Sequence, residues 1–151
     1  MDPLHTHSVQ KADGSFPEYL LHEHQVYNEE NRALFFAAAE GNLKEVQVAL
    51  RKGGKPNFFY RPEDQKNALH VASERGYLDV MQALLDAGAQ VNALAAKDHS
   101  TPLILAATLA DPAPVRLLLS RGASVHAGEQ KNIYLLRFIM WCCLTSSFIV
   151  L

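Results

Sequence analysis

The sequence predicts an all-α solenoid of three stacked helix-turn-helix units, with β-hairpin-like finger loops between them. Three observations carry this. First, an octet with leucine first and alanine fourth recurs as Leu34 to Gly41, Leu69 to Gly76 and Leu103 to Ala110. Second, each octet is followed by an apolar stretch closing on glycine, at Gly53, Gly88 and Gly122, which are 35 and 34 residues apart. Third, the apolar spacing inside each stretch is three and four residues, the period of a helix face. A repeat of this length cannot bury its own apolar face and leans on its neighbour.

Each element has its local reason. In the first unit Ala33, Leu34, Ala37 and Ala38 form one helical stripe, and Gly41-Asn42 ends it, because glycine accepts the left-handed conformation of a helix end. Leu43, Val46 and Leu50 then mark a second helix ending at Gly53-Gly54. The second unit is the most regular, with Asn67-Ala68-Leu69-His70-Val71-Ala72 and a closing Leu84-Leu85-Asp86-Ala87-Gly88-Ala89-Gln90-Val91-Asn92-Ala93. In the third, Thr101 is a natural N-cap with Pro102 at the first helical position, where its missing N–H costs nothing. Asp111-Pro112 repeats that grammar. The expected organisation is a mobile acidic tail containing four histidines at 1–29 and a repeat domain at 30–127, divided near 31–57, 58–92 and 93–127. An apolar segment at 128–151 follows.

With these motifs in view the chain resembles the ankyrin-repeat family, whose signature is Thr-Pro-Leu-His-x-Ala. Thr101-Pro102-Leu103 keeps the start of it, with Ile104 for histidine. Leu69-His70 and Ala72 keep the rest, with Asn67-Ala68 for Thr-Pro. The first unit is degenerate, as a terminal repeat is expected to be. The resemblance covers roughly Asn31 to Ala127 and implies a structural role for His70, bonding backbone across the repeat turn. It also implies a contact surface made of the fingers and the exposed ends of the first helices. Carried over by position, that surface holds Glu40, Glu74, Arg75 and Leu109 on the helices. On the fingers it holds Phe59, Tyr60, Arg61, Asp64, Lys97, Asp98 and His99.

Composition excludes several classes. The net charge is −2 over 151 residues, not the marked basicity of a nucleic-acid binder. Residues 1–30 carry six acids and one base, so the acidity is concentrated there. The only cysteines, Cys142 and Cys143, are adjacent; they offer no disulfide framework and favour a reducing compartment. No secretory signal is expected, because the first 30 residues lack an apolar run. No Walker loop, Gly-x-Ser-x-Gly or His-Glu-x-x-His motif occurs, so neither a catalytic site nor a cofactor is expected. His5, His7, His22 and His24 lie in the polar tail with nothing to fix a metal geometry, and no metal site is assigned.

The repeat pattern stops before 135–138, where a fourth Thr-Pro-Leu-His would fall. Residues 133–151 hold one charge, Arg137. Three readings of that segment stand open: a membrane anchor with the repeats facing the cytosol, an aberrant end on a repeat protein, and a helix folded back on the last repeat.

The sharpest candidate for contact is the first finger, Phe58-Phe59-Tyr60-Arg61, since aromatics beside arginine are what protein–protein hot spots favour. One of the two phenylalanines is expected to pack down on the neighbouring repeat. The expectation is therefore a monomeric, cytoplasmic protein-binding adaptor or scaffold, not an enzyme. The alternatives are the targeting fragment of a larger protein and a tail-anchored scaffold.

Overall fold

The computed structural model describes residues 28–60, 66–95 and 99–127. Six helices occupy them: α1 Glu29–Glu40, α2 Leu43–Arg51, α3 Ala68–Arg75, α4 Leu78–Asp86, α5 Pro102–Ala106 and α6 Ala113–Ser120. They pair as α1–α2, α3–α4 and α5–α6. The first helices pack side by side in one layer, α1 on α3 and α3 on α5, and the second helices α2, α4 and α6 form the other. No strand occurs among the described residues. One isolated antiparallel bridge, Phe59 to Asn67, marks the first finger.

Two first helices start as the capping grammar of the sequence predicts, but α6 departs from it: Pro112 itself stands at the cap position, and Asp111 Oδ1 accepts from Ala113 N–H at 2.9 Å. The side chains of Asn67 and Thr101 accept from the N–H groups of His70 and Ile104. α1 starts two residues ahead of the expected Asn31. Asn28 caps it, and Glu29 and Glu30 sit in its first turn, where carboxylates meet the positive end of the helix dipole. α5 is only five residues long. Gly41 and Gly76 end α1 and α3 in the left-handed conformation, at φ 74 in both cases, but the equivalent position here is Ala110. Without glycine the third first-helix frays into the turn 107–110.

The core is a column of equivalent positions. Leu34, Leu69 and Leu103 lie in the first layer, and Val46, Met81 and Val115 in the second, all buried. Asparagines tie the repeats together at the turns. Asn57 Oδ1 accepts from Gln90 N–H at 2.7 Å, and its amide donates to Gly88 O at 3.1 Å. Asn92 Oδ1 accepts from Ser124 N–H at 2.7 Å in the same register. Repeat one has no such asparagine before it, and Asn31, from within α1, takes the role by accepting from Lys55 N–H at 2.7 Å. Where a fourth staple would start, the sequence has His126.

One core position departs from its equivalents. Ser73 is fully buried, and its hydroxyl has no hydrogen-bond partner among the described residues. Alanines occupy the same place in the other repeats, Ala38 and Ala107. A buried unpaired polar group costs on the order of 1–3 kcal/mol, and alanine is the better helix former. Ser73→Ala is therefore expected to stabilise the chain by about 1 kcal/mol in urea unfolding. A loss of stability would show that the hydroxyl is satisfied.

Candidate protein-binding surface

His70 anchors the second finger. Its backbone N–H donates to Asn67 Oδ1 at 3.1 Å, while its Nδ1 accepts from Asn67 N–H at 3.3 Å, so cap and ring satisfy each other. On the far side Nε2 lies 3.1 Å from Ala93 O and 3.3 Å from Ser100 O, the two ends of the finger. Nε2 thus faces two carbonyl acceptors, while Nδ1 also lies 2.8 Å from Asn67 Oδ1. The ring is fully buried. The structural role implied by resemblance is thus what the geometry shows.

The first finger is held differently. Phe35 occupies the position of His70 one repeat earlier and makes a ring contact instead of polar ones. It stacks on Tyr60, with centroids 4.9 Å apart and planes 22° from parallel. Phe36 meets the same tyrosine edge-on at 5.2 Å, and Phe35 edge-on at 5.9 Å. Each such pair contributes about 0.5–1.5 kcal/mol beyond area burial. The guanidinium of Arg32 lies 5.9 Å from the Phe36 ring centroid. Phe36 stays 40% exposed. The result is an aromatic patch with one cation, formed jointly by α1 and the finger that follows it.

Of the residues expected at the contact surface, Tyr60 does not stand free but folds back on Phe35 and Phe36. Phe58 is half-buried and Phe59 exposed, so one of the pair is drawn down. Glu40 and Arg75 are exposed at the C-terminal ends of α1 and α3. Glu74 is exposed and pairs with Lys66 at 3.0 Å, a surface contact worth little energy that joins finger to helix. His99 is exposed with φ 51, a left-handed backbone at the mouth of the second finger. Leu109 is half-buried against the Gly76 turn. Arg61, Asp64, Lys97 and Asp98 lie outside the described residues, as do the histidine pairs of the tail and residues 133–151. Sequence reasoning missed Phe35, Phe36 and Arg32. The signal was present, since two adjacent phenylalanines interrupt an alanine-rich stripe.

Among the described residues no cluster of His, Cys, Asp or Glu is arranged to hold a metal, and no helix is long and apolar enough to cross a membrane.

Comparison with known proteins agrees with this architecture. The family model for ankyrin repeats in three copies matches residues 4–95 and again 34–129. The ankyrin repeat and KH domain-containing protein mask of Drosophila melanogaster is 34% identical over 109 residues, 72% of this chain and 3% of that protein. Histone-lysine N-methyltransferase EHMT1 of Homo sapiens is 34% identical over 61 residues, covering 40% of this chain and 5% of the relative. Ankyrin repeat and SOCS box protein 14 of Mus musculus is 34% identical over 91 residues, 60% of this chain and 15% of its own length. The chain thus spans a small part of each of these relatives. From the matched model, the repeated helix pairs and the asparagine-stapled turns, the chain belongs to the ankyrin-repeat family.

Proposed function

We propose that the chain is an adaptor or scaffold module that holds a partner protein on the face built from the first helices and the fingers. Ankyrin repeats are in general protein–protein interaction modules, and the observation that carries the reading here is the exposed aromatic patch. Phe36 offers apolar area, Phe35 and Tyr60 hold it rigid, and Arg32 supplies a cation. Rigid aromatics with arginine are the residues that dominate binding energy at interfaces. Glu40, Glu74, Arg75 and His99 continue the face with mixed charge. The module acts as a monomer in the cytoplasm and performs no chemistry.

The test is affinity capture with the full chain as bait, in parallel with Phe36→Ser and with Leu119→Ser on the opposite layer. A partner whose capture falls by about tenfold or more with Phe36→Ser, the loss expected of a hot spot, and is kept with Leu119→Ser supports the reading. Partners retained equally by both variants overturn it.

A second reading rests on coverage. Because the relatives extend far beyond the matched repeats, the same face serves equally as the targeting part of a longer protein. Carbonate extraction separates a further case: retention in the membrane pellet, lost on cutting after Asn132, makes the module a membrane-anchored scaffold facing the cytosol.

A further inference from the structure

The exposed face of α1 is complementary to itself. Arg32, Phe36 and Glu40 follow one another at four-residue intervals, so they line one stripe of the helix. All three are exposed. Ala33 and Ala39 stand three residues to either side of Phe36, the first exposed and the second half-buried. Outward from Phe36, the two directions match in order, a small residue and then a long charged one. They differ in the sign of the charge. Arg32 and Glu40 lie about 6 Å along the helix axis on opposite sides of the ring, at about 1.5 Å per residue.

No other first helix carries such a stripe. α1 has 12 residues, against eight in α3 and five in α5. The positions equivalent to Arg32 are the buried caps Asn67 and Thr101, and those equivalent to Phe36 are the half-buried Val71 and Leu105. The two charges on α1 are also uncommitted. Neither Arg32 nor Glu40 forms an ion pair among the described residues, and the Arg32 guanidinium lies over Phe36 at the centre of the stripe.

Charge of this pattern fits a second copy of the same helix. In a two-fold pair the same patch serves on both chains, so residue i meets j and j meets i. Set two α1 helices antiparallel, with the axis beside Phe36. Each ring then meets its counterpart, and each Arg32 comes level with Glu40 of the second copy. A parallel arrangement would set arginine against arginine and glutamate against glutamate, and like charges across an interface are disfavoured.

We propose that the chain pairs with a second copy of itself through α1, antiparallel about Phe36, with Arg32 and Glu40 exchanged as two ion pairs. The pairing rests on the binding proposal only in what it blocks. Two copies cover each other's aromatic patch, and the monomer is the form that takes the partner protein. One helix face is a small interface, so the pairing is weak and a partner displaces it.

Sedimentation of the purified full chain, in a concentration series up to about 1 mM, tests the pairing with no partner present, so its outcome is independent of the capture experiment. A monomer–dimer equilibrium is expected. Arg32→Glu and Glu40→Arg each weaken it by about tenfold or more, because like charges then face each other twice. An equimolar mixture of the two single variants brings unlike charges together again, and restores pairing to within about threefold of the parent. Recovery on mixing also excludes misfolding as the cause of the loss, since each chain still carries its substitution. A chain that stays monomeric throughout overturns the proposal. So does a dimer indifferent to both reversals, which places the contact on another face, and so do single variants whose mixture stays apart.

Discussion

Replacing His70 with alanine is expected to destabilise the chain by about 3–5 kcal/mol. The ring is fully buried and reaches backbone at both ends. Asn67 N–H on one side loses its acceptor, and Ala93 O on the other loses its donor. Each buried group left without a partner costs on the order of 1–3 kcal/mol, and the space of the imidazole is not refilled by a methyl group. Ser100 O is partly spared, because Ala95 N–H still donates to it at 3.0 Å. Small domains have about 5–15 kcal/mol in total, so the variant is expected to populate unfolded states measurably. Urea unfolding gives the number, and amide exchange at Ala95 reports whether the finger loosens first. A loss below about 1 kcal/mol would mean that the ring does not tie finger to helix.

Gly41→Ala is expected to cost about 2–4 kcal/mol, from two separable sources. The first is backbone: at φ 74 an L-residue pays about 1–2 kcal/mol for the left-handed conformation. The second is space. A Cβ at Gly41 would lie 3.0 Å from three ring carbons of Tyr77, and forcing atoms into a packed site costs about 1–3 kcal/mol. Gly53 makes the comparison, since its φ is 97 and nothing lies within 4 Å of its Cβ position. Gly53→Ala should therefore show the backbone cost alone. Measuring Gly41→Ala in a Tyr77→Ala background removes the ring and should reduce the cost to about 1–2 kcal/mol. Equal costs in both backgrounds would show that the tyrosine yields freely.

These two residues show why so much of the fold was legible. The period, the cap at Thr101, the stop at Gly41 and the core leucines are local or strictly repeated signals, and a stack copies each local solution from repeat to repeat. His70 was legible because its motif carried its role. The staples at Asn57 and Asn92 reach across 31 to 33 residues, yet they recur in register, so the repeat itself announces them once one is seen.

What the sequence by itself determined is therefore the architecture: three helix pairs, their phase, their buried faces and the absence of recognisable catalytic motifs. The tertiary structure decided what happens where the repeat is broken. Phe35 and Tyr60 lie 25 positions apart and join only because α1 carries a ring where histidine is the rule, so finger and helix close by stacking. Asn31 replaces a missing staple from within α1, and α5 shortens because Ala110 does not take the left-handed turn that glycine takes cheaply. Each outcome depends on which surfaces meet across repeats. Periodicity specifies the copies, but a departure from it acquires meaning only through the neighbour it touches.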